Sequence, residues 1–339
     1  MEFKRILIIQ TAFIGDVILA TPVIEQLKKN YPDAQIDFLL RKGNESLLMH
    51  DQRINHLLIW DKKKGKYKEL FRLLKLVRAN RYHLVVNLQR FASMGLLTFF
   101  SKGSIKVGFD KNPFSFGFDL AIRHDLDNGH HEVERNLSMI QTFVDDSFCR
   151  PSLQIPQDIF EQVKKYQSAA YLTLAPTSVW FTKQFPKEQW IRFLQTIRFE
   201  GKIYLLGAPS DKEACESLVS LSGNDQAINL CGELSLLASA ALMKGAVMNY
   251  VNDSAPMHLA SAMNAPVAAI YCSTIPAFGF GPLSEEAHIV EVSQNLACRP
   301  CGLHGKKKCP EGHFNCGQQI DIQQLIKIIP STESPGSAG

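Results

Sequence analysis

Lys4-Arg-Ile-Leu-Ile-Ile-Gln-Thr-Ala-Phe-Ile-Gly-Asp-Val-Ile-Leu-Ala-Thr-Pro-Val-Ile-Glu-Gln-Leu27 decides the fold. Its first part, residues 5–10, holds the continuous apolar run Ile6-Leu-Ile-Ile9 and reads as a buried strand. A short turn then delivers Gly15 and Asp16 to the start of an amphipathic helix. In open α/β sheets ligands bind just beyond the carboxyl ends of strands, where helix N-termini direct free amides. Gly15 permits close backbone approach there. Asp16 places a carboxylate that can cap the helix or accept a proton. The turn has one glycine where a dinucleotide fingerprint needs three, which favours a sugar or nucleotide enzyme over a dehydrogenase.

The pattern of this segment recurs. Strands are expected at residues 5–10, 35–40, 56–59, 83–87 and 105–108, and helices at 16–30, 66–78, 91–100 and 132–144. Pro22 predicts a kink or a fresh helix start at Thr21-Pro22. Residues 145–157 are polar, contain Pro151 and Pro156, and read as a linker. The alternation then restarts, with strands expected at 171–175, 202–206, 227–230, 246–250 and 267–271. Helices are expected at 187–199, 211–221, 236–243 and 254–263, and a last one at 321–329. Strands separated by helical stretches of roughly 10–15 residues imply crossovers and parallel sheets. The reading is therefore α/β: one domain over residues 1–150, a second over 151–330, a cleft between them as the default site, and a disordered tail at 331–339.

Composition narrows the class. The chain has 339 residues, 45% apolar and 21% charged, which suits a soluble protein with two proper cores. A net charge of +4 is compatible with an anionic substrate and too small to argue for nucleic acid. The N-terminus lacks the apolar stretch of a signal peptide, and no run approaches the ~20 residues of a membrane span. A cytoplasmic location is expected. Cys149, Cys215, Cys231 and Cys272 are scattered and read as buried thiols in a reducing compartment.

Two elements of the second half carry candidate chemistry. In the first, a strand ending at Ala175 is followed by Thr177, Ser178 and Lys183. Hydroxyls and one cation at a strand's carboxyl end are what a diphosphate requires. A polar loop with a solvated lysine fits the spacing too. In the second, Val251-Asn-Asp-Ser-Ala-Pro-Met-His258 runs from a strand into a helix. Asp253 or Ser254 would be its N-cap, with amides beyond it forming an anion site. His258 falls one turn in, where a packing histidine is the commoner role. Asp211, after Gly207-Ala-Pro-Ser, could hold ribose hydroxyls or cap the next helix.

Two further groups remain. Cys298, Cys301, Cys309 and Cys316 begin with CxxC and partly match a structural zinc site, though the second pair is spaced too widely. Unliganded thiols packing a loop are the other reading. Arg90, Arg123 and Arg135 lie near strand ends or a helix start and are candidates for an anionic acceptor. Lys62–Lys64 reads as a solvated loop, and His130-His131 as an exposed one.

These residues together resemble the bacterial ADP-heptose:lipopolysaccharide heptosyltransferases over nearly the whole chain. The resemblance rests on Phe13-Ile-Gly-Asp-Val-Ile-Leu-Ala-Thr-Pro, Ala175-Pro-Thr-Ser with Thr182-Lys-Gln-Phe-Pro, Gly207-Ala-Pro-Ser-Asp and Asn252-Asp-Ser-Ala-Pro-Met-His-Leu-Ala. Tyr271-Cys-Ser-Thr, Phe280-Gly-Pro-Leu and the cysteine-rich segment look closer to the heptosyltransferase II branch. The resemblance implies a GT-B fold of two facing Rossmann-like domains, the acceptor on the first and an ADP-sugar on the second. It implies inverting transfer with no cofactor required, to a lipid-linked anionic oligosaccharide reached by transient contact with the inner membrane. By position, Asp16 matches the catalytic base and Lys183 the lysine on the nucleotide phosphates. Thr177 and Ser178 match neighbouring hydroxyls, Asp211 a ribose contact, and Leu234 an adenine contact. Asp253 and Ser254 match the phosphate-binding helix start, where Ala255 stands in place of the family's usual glycine. A GT-B enzyme using another nucleotide sugar, such as a UDP-sugar transferase or an epimerase, is the nearest alternative. A binding protein that kept the fold without catalysis is a further one.

Overall fold

The computed structural model describes residues 2–126, 129–145 and 148–329. It separates into two compact units, residues 1–159 with 277–283, and residues 160–276 with 284–339. The division differs from the expected boundary at 150/151 in placing a short late segment with the first unit. The expected tail lies outside the described residues.

The first unit is built on β1 (Arg5–Ile9), β2 (Gln35–Arg41), β3 (His56–Trp60), β4 (Leu84–Asn87), β5 (Ile105–Phe109) and β6 (Leu120–Ile122). They form one sheet in the order β3-β2-β1-β4-β5-β6, all parallel. Ile6 to Ile9 of β1 are completely buried, as a strand covered on both faces must be. The first helical stretch is broken as the proline predicts, into α1 (Ile14–Leu19) and α2 (Thr21–Asn30). α3 (Lys66–Asn80) and α4 (Ala92–Phe99) cover one face of the sheet, where Leu70, Leu73, Val77, Met94 and Leu97 join Leu7, Ile9 and Val85 in one core. α5 (Glu132–Leu137) packs against α1 and α2. It stops well short of the expected residue 144. At its C-cap the Ser138 hydroxyl donates to the Arg135 carbonyl, a local bond that competes with helix continuation.

α6 (Gln157–Val163), which no sequence pattern announced, begins at the last residue of the expected linker. The second unit then carries β7 (Tyr171–Ala175), β8 (Lys202–Leu205), β9 (Ala227–Asn229), β10 (Met248–Asn252), β11 (Val267–Tyr271) and β12 (Ala287–Glu291). Its order is β12-β11-β10-β7-β8-β9, again all parallel. Counted from each unit's first strand this is the same 3-2-1-4-5-6 order, the doubly wound Rossmann arrangement. The helices are α7 (Lys187–Thr196), α8 (Lys212–Ser222), α9 (Leu236–Lys244), α10 (Ala255–Ala262), α11 (Asn315–Gln318) and α12 (Gln323–Ile326). α7 buries Trp190, Phe193 and Leu194, each worth about 1.5–3 kcal/mol of apolar transfer.

Two strands, β6 and β12, escape the sequence pattern. Both are edge strands with mixed exposure, so neither needs the apolar run that marks a central strand. β10 lies two residues later than expected, which makes Asn252 its last residue. The expected helix at 321–329 shrinks to the four residues of α12.

Candidate functional site

Ligands of doubly wound sheets bind where the strand order reverses. In the first unit that point is the carboxyl end of β1 and β4; in the second it is that of β7 and β10. The sequence candidates fall at these two places and along the same sheet edges.

In the first unit Asp16 is the third residue of α1 and is half-buried. Its Oδ2 accepts the Phe13 amide at 3.0 Å, the half of a capping box that an acid at the third helical position supplies. This bond is the capping role that the sequence offered for Asp16. Behind it the switch point is lined by buried amides. Gln89 Nε2 donates to Gln10 Oε1, Ala12 N to the same oxygen, and Gln89 N to Asn87 Oδ1 at 2.9 Å.

α5 supplies what sequence reasoning missed here. Glu132 is buried and its Oε2 accepts Arg135 Nε at 2.8 Å. Burial pushes the Glu132 carboxyl above its ordinary range; Arg135 pulls it back, and the charge of nearby Asp16 adds to the push. The only sequence signal was an acid three residues before a flagged arginine. Arg135 itself is 4% exposed and directed inward. Beyond Glu132 it donates to the carbonyls of His130 and Phe278, the latter at 3.0 Å. A buried guanidinium with these partners organises the protein around it. The reading of His131 is corrected, because its ring is the N-cap of α5. Nδ1 accepts Val133 N and Nε2 donates to the Gly281 carbonyl, which fixes the neutral tautomer.

Arg90 stands half-buried just past β4 and Arg123 is exposed, 3.1 Å from Asp125. Buried His124 lies between these elements, its ring edge-on to Phe109. Burial first, then the charges of Arg90 and Arg135, push it down to about 4 against the opposing pull of Asp110.

In the second unit Lys183 Nζ lies 2.6 Å from Asp253 Oδ2, which also accepts the Thr274 hydroxyl at 2.6 Å. Asp253 is buried and Lys183 nearly so. Asp253 thus holds the lysine; a carboxylate would repel a phosphate, and Ser254, not Asp253, occupies the N-cap of α10. Ser254 makes no side-chain cap bond. Ala255 opens α10 with ordinary helical backbone, so nothing at that position demands a glycine conformation. Asn252, wholly buried, ties the two switch strands together. Its Oδ1 accepts Phe185 N at 2.8 Å and its Nδ2 donates to the Pro176 carbonyl at 2.9 Å. Thr177 and Ser178 are half-buried on the loop so pinned, and Gln184 Nε2 holds the Ser178 carbonyl at 2.6 Å.

The cysteine-rich segment braces this loop. Thr182 and Lys306 exchange bonds: Thr182 N donates to the Lys306 carbonyl and Lys306 N to Thr182 Oγ1. A Cβ on Gly305 would sit 2.6 Å from Trp180 Cβ and 2.8 Å from Lys183 Cγ, so the backbone lies directly on the lysine stem. Arg299 donates to the carbonyls of Cys272 and Thr274. Among the described residues no group of three His, Cys, Asp or Glu could hold a metal ion. All four cysteines are free thiols. Cys316 is buried in the core and the Cys301 thiol faces the Cys298 carbonyl within its own loop. Of the four scattered cysteines, Cys149 is half-buried and the others are buried, as expected.

Asp211 follows β8 at the N-cap of α8, makes no side-chain cap bond to it, and instead accepts Ala208 N at 2.8 Å. Gly207 is required by that bond, because a Cβ there would press on the Asp211 side chain and Cys231 Sγ. Leu234 is half-buried just before Ser235, the N-cap of α9, and His258 is buried within α10.

Residues 70–313 match the model of glycosyltransferase family 9 (heptosyltransferase). The chain belongs to this family. Lipopolysaccharide heptosyltransferase 3 of Escherichia coli K12 is 30% identical over 282 residues, covering 77% of this chain and 80% of that protein. The crystal structure of a glycosyltransferase family 9 protein from Veillonella parvula superposes with a TM-score of 0.82 at 23% identity, covering 96% of each chain. The structure of the E. coli ADP-heptose lipopolysaccharide heptosyltransferase II follows with a TM-score of 0.78 at 20% identity, covering 96% of this chain and 97% of that one. The chain is thus a glycosyltransferase with a GT-B α/β fold.

Proposed function

We propose that this glycosyltransferase moves a heptose from ADP-heptose to a hydroxyl of a lipopolysaccharide inner-core acceptor, with inversion and without a catalytic metal. The observation carrying the reading is the Lys183–Asp253 pair at the β7/β10 switch point, beside Thr177, Ser178 and the start of α10. A lysine held by a buried acid is positioned before the ligand arrives, so little reorganisation is needed when charge develops on a diphosphate. The names of the family relatives supply the sugar, the nucleotide and the acceptor.

In this mechanism Asp16 accepts the proton of the acceptor hydroxyl as its oxygen attacks the anomeric carbon. The bond from that carbon to the diphosphate oxygen breaks on the opposite face, and its electron pair leaves with ADP. Lys183 and the amides at the start of α10 stabilise the departing charge. Thr177 and Ser178 bind the diphosphate, Asp211 the ribose and Leu234 the adenine. Arg90 and Arg123 meet the anionic acceptor. Arg135 acts through Glu132, holding a second acid near Asp16. The enzyme works in the cytoplasm and meets its lipid-linked acceptor at the inner membrane; no helix among the described residues could cross a membrane.

Thermal stabilisation by ADP, UDP, GDP and NAD without added metal tests the donor side. Selective stabilisation by ADP, abolished in Lys183→Ala, is the expected result. Preference for UDP would transfer the protein to another donor class, and no response to any of the four would remove the catalytic reading.

A further inference from the structure

The densest charge in the molecule lies outside the site described above. Between Lys62 and Arg81 there are nine lysines and arginines against one acid, Glu69, in a chain whose net charge is only +4. Glu69 is engaged by Arg72 at 2.9 Å, and Asp61, just before the segment, by Lys42 at 2.8 Å. Among the described residues no salt bridge reaches Lys62, Lys63, Lys64, Lys66, Lys68 or Lys75. The cations also crowd one another: Lys62 is pushed below its ordinary value by burial and then by Arg41 and Lys66.

α3 pairs this charge with exposed apolar surface. It buries Leu70, Leu73, Leu74 and Val77 against the sheet. Its outer face carries Tyr67 at 70% and Phe71 at 65% exposure, one helical turn apart, with Lys75 a turn further on. Two large aromatic rings left in water beside uncompensated lysines are the composition of a helix lying in a bilayer interface, rings in the headgroup layer and ammonium groups on the phosphates. The placement suits that use. α3 starts at the carboxyl end of β3, the edge that bears Asp16, and β3 is two strands from β1, about 10 Å. Exposed Phe13, stacked under Arg41 at 4.6 Å, bridges the interval.

We infer that the outer face of α3 and the preceding Lys62–Lys64 turn form a docking surface for an anionic phospholipid bilayer, seating the Asp16 edge of the first unit at the membrane. Charge complementarity selects this occupant, because an excess of eight positive charges in twenty residues calls for a polyanionic surface. The exposed aromatic pair then favours lipid over nucleic acid. The inference goes beyond the transfer reading and stands without it, since binding to vesicles needs neither donor nor acceptor.

Co-sedimentation of the full chain with phosphatidylethanolamine/phosphatidylglycerol vesicles, against pure phosphatidylcholine vesicles, tests it. Binding only to the anionic vesicles is expected, weakening with salt. Replacing Lys63, Lys64 and Lys68 by glutamine should lower the affinity about a hundredfold, at roughly fivefold per lysine. Tyr67→Ser with Phe71→Ser should abolish the binding that survives high salt, while a cooperative thermal transition at the wild-type Tm reports an intact fold. Equal binding to neutral vesicles, no binding, or binding indifferent to both variants would overturn the inference. So would a preference of the wild-type chain for a duplex oligonucleotide over anionic vesicles at equal salt.

Discussion

At the switch point of the first unit, buried amides of Gln10, Asn87 and Gln89 stand behind an aspartate that accepts the backbone amide of Phe13. At the same place in the second unit, Asn252 ties the strands together and the aspartate, Asp253, is bound to Lys183 and Thr274. The strand order is identical and the chemistry is opposite. The carboxylate of the second unit is spent on holding a lysine and a hydroxyl in place. The carboxylate of the first unit caps a helix near a second buried acid, Glu132, whose own carboxyl burial pushes upward. Topology thus fixes where the sites lie, and the residues that contact each aspartate decide what each can do.

The sharpest way to break this comparison is Asp16→Asn. Asparagine can still accept the Phe13 amide, so the helix start survives, and transfer should fall by about 10³-fold or more with ADP binding unchanged. Retained transfer would remove Asp16 from the base role. Next in size, Lys183→Ala should lower kcat by roughly 10²–10³ and abolish stabilisation by ADP. It also leaves Asp253 buried without its cation, a loss of about 3 kcal/mol in stability. The double variant Lys183→Ala/Asp253→Ala should recover much of that stability and none of the ADP response. If it recovers the response, the lysine is not the phosphate contact.

The units should differ with pH as well. In the fold His124 stays neutral down to about pH 4, whereas its ordinary value is 6.5. Protons therefore favour the unfolded chain, so this contribution is intact above pH 6.5 and is lost as pH falls towards 4. The size is about 2 to 3 kcal/mol. Comparing the pH dependence of Tm for wild type and His124→Gln measures it, and parallel curves would exclude it. The smallest effect is expected from Ala255→Gly. Because Ala255 already sits in helical backbone, glycine there should change ADP affinity less than threefold. A tenfold gain would mean that the methyl obstructs the phosphate site.

Much of the fold was legible because it rests on local rules. The apolar runs of β1, β7 and β11, Pro22 at the start of α2, and the strand-to-helix turns that carry Asp16 and Ser254 each announce themselves within a few residues. β6 and β12 were hidden because an edge strand needs no apolar signature. The candidate residues were legible as types at strand ends, but their partners were not. Arg135 looked like a free cation and is enclosed by Glu132 and the Phe278 carbonyl, 143 residues away in sequence. Asp253 looked like a helix cap and belongs to Lys183, from a different strand-end loop.

The sequence by itself determined the two parallel sheets, the helix starts at their carboxyl edges and the residue types displayed there, because burial pattern, proline and capping act over a few residues. Only the tertiary structure decided which charges neutralise one another, how the cysteine-rich segment presses on the Lys183 stem, and that Tyr67 and Phe71 are left facing water. Those outcomes depend on contacts between distant segments, and a side chain's charge state and exposure are set by the neighbours that folding brings to it.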